Sequence, residues 1–200
     1  EEVSFKESEL GRIPEGWKVT SVKPLIKRLK NGRVYKQKEV DASGSTRVID
    51  QSRSEYLGFH SNEPDHQATD KNPIIIFGDH TCKMQIMVKP FSLGPNTIAF
   101  TGKTERSLYY ISSLVKGLIK TQEYKRHWSD FMDKTVVAAP VEVSLKYGEV
   151  VEPMFREIEL LTRKTRNLRA QRDLLLPKLV SGQIDVSDIP MPDNKEVEAA

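Results

Sequence analysis

The sequence is short of cysteine and of long apolar runs, and each shortage excludes a class of protein. Cys82 is the only cysteine among 200 residues. A disulfide framework or a cysteine zinc site needs several thiols, so this chain has neither. Its longest aliphatic or aromatic runs reach about four residues, as in Ile74-Ile75-Ile76-Phe77, against the roughly 20 that a membrane helix needs. No membrane partner is expected. The opening Glu1-Glu2-Val3-Ser4 has neither the basic nor the apolar segment of a secretory signal. A reducing, cytoplasmic setting is the expectation.

The usual marks of catalysis are also missing. His60, His66, His80 and His127 are too scattered to form a ligand cluster by spacing. Gly102-Lys103-Thr104 resembles the end of a phosphate-binding loop, but that motif needs a glycine where Thr97 stands. Asn72-Pro73-Ile74-Ile75 has isoleucine where an adenine methyltransferase places the aromatic that stacks on a flipped base, so it reads better as a turn entering a strand. No serine sits in a Gly-x-Ser-x-Gly elbow. Cys82, close to His80, reads as a structural cysteine. We therefore expect no catalytic residue, no metal and no cofactor on this chain.

What is present suits a folded protein. Hydrophobic residues make up 38% and charged residues 30%, with a net charge of +3. The charge is uneven. Residues 1–150 carry 23 basic and 19 acidic groups, and residues 151–200 carry 8 and 9. From Lys18 to Lys38 there are eight basic residues and no acid. Such a stretch is an electrostatic footprint for a phosphate backbone, although it would serve equally as a solvated face.

Local patterns divide the chain near residue 150. Trp17-Lys18-Val19 reads as a short strand. Ser21 is expected to cap a helix with Pro24 in its first turn and Asn31-Gly32 at its end. Pro73–Phe77, Met84–Val88, Thr97–Phe100 and Thr135–Ala138 read as strands, whereas Leu108, Ile111, Val115 and Leu118 line one face of a helix. A longer helix is expected from about 153 to 176, with Pro153 in its first turn and Glu157 and Glu159 near its positive end. Phe155, Ile158, Leu161, Thr165, Leu168, Arg172, Leu175 and Leu179 follow steps of three and four. That seam is too long to bury whole on its own domain, so part of it is expected to pair with another helix, the alternative being a terminal helix folded back on its own domain. The fold class is α+β. A mixed globular domain with a sheet core spans 1–150, a single long coiled-coil-type helix 151–182, and a polar, disordered tail 183–200.

Three segments carry a family likeness. Ser8-Glu9-Leu10-Gly11-Arg12-Ile13-Pro14-Glu15-Gly16-Trp17 resembles the opening of a target recognition domain in the specificity (S) subunits of type I restriction–modification systems. Tyr124-Lys125-Arg126-His127-Trp128, followed by the strand ending at Pro140, resembles the close of such a domain. Arg172-Asp173-Leu174-Leu175-Leu176-Pro177-Lys178-Leu179-Val180-Ser181-Gly182-Gln183-Ile184 is similar to the end of the family's helical spacer. The resemblance implies a non-catalytic specificity subunit, or half of one, reading one half of a bipartite target in double-stranded DNA. It also implies docking to methyltransferase (modification) subunits, which bind S-adenosylmethionine, and through them an indirect link to a restriction subunit. A full specificity subunit has two recognition domains and two helical regions, and this chain has one of each. A homodimer through the long helix and a piece of a longer chain are both open. The competing reading is a non-enzymatic coiled-coil adaptor, or a degenerate fragment that no longer reads DNA.

Within that resemblance, Lys27, Arg28, Lys30, Lys36 and Lys38 are assigned to phosphates. Arg33, Arg47, Gln51 and Arg53 are assigned to base edges, because forked and amide side chains match guanine and adenine bidentately. His80 and Lys83, in a second loop, could join them. Arg126 is placed near phosphate, and Trp128 in the core.

Overall fold

The computed structural model describes residues 4–121, 125–187 and 190. Strands β1 (Phe5–Lys6) and β2 (Ile13–Pro14) form an antiparallel hairpin, closed by reciprocal backbone bonds of 3.0 Å between Ser8 and Gly11. There follow β3 (Lys18–Ser21), β4 (Ile26–Arg28), β5 (Thr46–Ile49), β6 (Gly58–His60), β7 (Ile74–Gly78), β8 (Met84–Met87), β9 (Phe91–Leu93) and β10 (Thr97–Gly102). Helices α1 (Leu108–Val115) and α2 (Trp128–Met132), strand β11 (Thr135–Ala138) and helix α3 (Val141–Val180) complete the chain. The architecture is α+β. Contacts divide it into two units, Glu1–Glu152 and Pro153–Ala200.

The centre of the first unit is a four-stranded antiparallel sheet in the order β4-β10-β7-β8. Side chains alternate across a strand, so one strand can serve two cores. Ile75 and Phe77 of β7, with Phe100 of β10, pack on one face with Val22, Ile26, Ile111 and Phe131. Ile76 and Ala99 face the other way and join Ile49, Phe91 and Leu93. The second group comes from the three-stranded sheet β6-β5-β9, in which β5 and β9 run parallel. Burial on both faces explains why Ile74–Phe77 is a continuous apolar run. β11 returns to pair antiparallel with β3, Val137 opposite Val19, and joins the two ends of the domain.

Two sequence expectations fail. The helix proposed between Ser21 and Asn31 does not form; a tight turn (Leu25 N–H to Val22 O, 2.9 Å) leads into strand β4 instead. Leu25, Ile26 and Leu29 would suit a helical face, but Ile26 enters the core only when Lys27 pairs with Thr101 in the sheet. Non-local pairing overrides the local cap signal. The long helix also starts earlier than 153. Pro140 O accepts the amide of Ser144 at 3.1 Å, and Val141–Val151 is helical although rich in valine. Packing decides it: Ser144 is fully buried, Gly148 lies against Ser107, and Tyr147 donates to Ser113 Oγ at 2.8 Å. Pro153 therefore sits inside the helix, not at its start.

Candidate nucleic-acid interface

The basic stretch is displayed by an edge strand and the loop after it. Lys27 and Arg28 are exposed on β4, which is unpaired on its outer side in the sheet order. Lys30 is exposed one residue beyond Leu29, whose amide still reaches Ala99 O at 2.8 Å. The chain then turns at Gly32, which has φ +68 and lies so close to Asp65 that a Cβ would collide with the carboxylate. Asp65 Oδ1 accepts the Arg33 amide at 3.1 Å, and Tyr35 N–H donates to Leu93 O at 2.9 Å. A 3-10 turn over Gln37–Glu39 follows, with Lys36 and Lys38 exposed around it.

Arg33 is the most constrained of these side chains. Its guanidinium carbon lies 4.7 Å above the Tyr35 ring, and Nη2 donates to Glu39 Oε1 at 3.0 Å, yet the side chain is 57% exposed. The bond to Glu39 raises the Arg33 pKa. The Glu39 carboxyl is held low, first by the Lys36 amide at 2.9 Å and then by Arg33. Beneath, Tyr35 stacks flat on His60 with 4.0 Å between centroids. Burial pushes the pKa values of His60 and His66 down, so both imidazoles favour the neutral form.

The second candidate group lies where the loop after β5 meets the β7–β8 turn. Arg47 stands on β5 itself rather than in a loop, paired with Glu55 at 3.4 Å. Gln51 Oε1 accepts the amide of His80 at 2.9 Å, and Thr81 Oγ1 donates to Gln51 O at 2.7 Å. Lys83 Nζ donates to Asp50 O at 3.2 Å and Ser54 O at 2.7 Å, and burial lowers its pKa. Gln51 and Lys83 thus lock two loops together. Arg53 is exposed and has no hydrogen bond or ion pair with the described residues.

Arg28 and Arg126, about 100 positions apart in the chain, line one cleft of about 320 Å³ with Asn31, Asn96 and Trp128. Asp79 on its floor lies 3.9 Å from Arg126 Nε, and its Oδ1 accepts the amides of His127 and Trp128 at 3.1 and 2.9 Å. Trp128 itself packs on Phe77 and Phe100. Tyr124 and most of the tail lie outside the described residues. Sequence reading missed Asp65, Glu39, Tyr35 and Asp79. Their partners are set by tertiary contact, and only the Lys36–Glu39 spacing carried a local signal.

In the second unit, Ile158, Leu161, Leu168, Leu175 and Leu179 of α3 are between 40% and 64% exposed, Thr165 is exposed, and Phe155 is half-buried. Arg172, on the same seam, binds Asp173 through Nε at 2.9 Å and Nη2 at 2.6 Å. Gly182, with φ +72, stops the helix, its amide reaching Leu179 O at 3.1 Å. Among the described residues no group of three His, Cys, Asp or Glu could hold a metal ion, and no helix is long and apolar enough to cross a membrane.

The fold of this chain is similar to that of type I restriction–modification S subunits. The S subunit of the type I system from M. genitalium matches with a TM-score of 0.62 over 82% of this chain, at 17% identity. A chain from a structure addressing complex assembly and conformational transition of the type I system matches over 82% as well, with a TM-score of 0.53 at 9% identity. This chain spans 46% and 44% of those two chains. No family model and no curated protein sequence matches it.

Proposed function

We propose that this chain is the DNA-reading part of a type I specificity subunit, comprising one target recognition domain and one helical spacer. The observation that carries the reading is the S-subunit fold, shared over 82% of this chain at 46% of the S subunit's length. The basic edge supports it. Lys27, Arg28, Lys30, Lys36 and Lys38 are exposed cations suited to phosphates, and Arg126 shares a cleft with Arg28. Arg33 and Arg53 keep exposed forks suited to base edges, whereas Gln51 Oε1 and Lys83 Nζ are engaged in holding loops. On this reading the chain has no chemistry of its own. It positions methyltransferase subunits, and their S-adenosylmethionine, on one half of a bipartite site. The apolar seam of α3 pairs with a second spacer helix, in a longer chain or a second copy. The test is methylation mapping of genomic DNA with the gene present and deleted, alongside an active cognate methyltransferase. Loss of an interrupted adenine-methylated motif on deletion supports the reading. An unchanged methylome would overturn it in favour of an adaptor that works through the helix.

A further inference from the structure

Arg33 is fixed at three levels, and the geometry points to Glu39 as the residue that positions Arg33 to read a guanine. The inference rests on the DNA-reading function proposed above and deepens it. The backbone is fixed first, by Gly32 against Asp65, by the Arg33 amide on Asp65, and by the Tyr35 amide on Leu93. The face of the guanidinium is fixed next, 4.7 Å above Tyr35, whose ring rests on buried His60 and whose hydroxyl accepts Asn62 Nδ2 at 3.3 Å. Its edge is fixed last, by Glu39 Oε1, while Glu39 Oε2 is anchored on the Lys36 amide.

The consequence is chemical. A carboxylate at 3.0 Å cancels much of the charge that would draw Arg33 to a phosphate, whereas among the described residues Lys27, Lys30 and Lys38 form no ion pair. What remains is direction. A guanidinium carries five N–H donors in a rigid fork, and Glu39 takes only part of it. Two acceptors side by side, O6 and N7, occur on the major-groove edge of guanine. Adenine and cytosine each present an amino donor there, which would oppose the fork. An arginine already ordered in one rotamer loses little freedom when it meets that edge. Glu39 therefore works through Arg33, and of the two only Arg33 touches DNA.

The experiment is selection of bound sequences from a random duplex DNA library by the full chain, comparing wild type with Arg33→Ala, Arg33→Lys, Glu39→Ala and Glu39→Gln. The wild-type motif should contain a guanine whose preference falls roughly tenfold or more in both Arg33 variants, since lysine keeps the charge but not the fork. Glu39→Ala should lower the preference at that same position severalfold and leave the others intact, with Glu39→Gln, which keeps one acceptor oxygen, in between. A purely structural role for Glu39 would weaken every position alike. That result, or no change in Glu39→Ala, or an Arg33-dependent position other than guanine, overturns the proposal while leaving the DNA-reading function standing. A wild-type selection that yields no motif overturns both.

Discussion

Lys30 and Arg53 are both exposed and unpaired among the described residues, yet DNA should tell them apart. Lys30→Ala should weaken specific and random duplexes equally and reduce the slope of log K against log salt by about one. Arg53→Ala should cost about 1–3 kcal/mol on the specific site and little on random DNA. Titration of affinity against salt, on both kinds of duplex, separates the two; equal losses would remove Arg53 from base reading. Protons act elsewhere. His60 and His66 are 4% exposed, and burial lowers both pKa values below the ordinary 6.5. Between those depressed values and 6.5 the unfolded chain binds more protons than the folded one, so stability rises with pH there. Melting temperature should therefore fall as pH drops below about 6.5, by roughly 2–4 °C for each kcal/mol lost. His66→Leu should flatten that slope in scanning calorimetry, and an unchanged slope would show that His66 does not carry it.

At the scale of elements, α3 offers the clearest tests. A Cβ on Gly148 would collide with Ser107, so Gly148→Ala should destabilise the first unit by about 1–3 kcal/mol despite its better helix propensity; denaturant unfolding measures it. Charge along the helix is segregated. Residues 149–159 carry four acids (Glu149, Glu152, Glu157, Glu159) and one base, and residues 163–178 carry six bases and one acid. An antiparallel partner with the same pattern brings opposite charges together, whereas a parallel one opposes like charges. Sedimentation should show association of the full chain that weakens with salt and disappears in Leu161→Asp/Leu168→Asp. Salt-independent association would reject the charge argument. The same elements show what sequence could reveal. β7, β10 and β11 were legible because buried strands must be apolar runs closed by glycine or proline. The seam from Phe155 to Leu179 was legible because its period is helical. β4 was not, because Leu25, Ile26 and Leu29 fit either period and only pairing with β10 decides between them. The first turns of α3 were hidden by valines and Gly148, whose helical state comes from packing. At the candidate interface, the exposed cations could be read directly. The acids that restrain Arg33 and Arg126 come from distant turns and could not, apart from Glu39.

For the whole molecule, coverage of 46% of an S subunit by 82% of this chain makes symmetry a measurable quantity. If two copies work together, their bipartite motif should be palindromic, because a two-fold protein reads a two-fold site. An asymmetric motif would require a second, different recognition domain. Methylome sequencing of the two half-sites decides between them. The edge position of β4 has a further consequence, for solubility. An unpaired strand edge invites another chain to add to the sheet, and Lys27 and Arg28 lie along this one as charges that repel such a copy. Alanines placed there to test the proposed DNA contacts would also remove that guard, and the resulting aggregates would imitate a loss of affinity. Glutamates at the same positions would repel both the phosphates and the neighbouring chain.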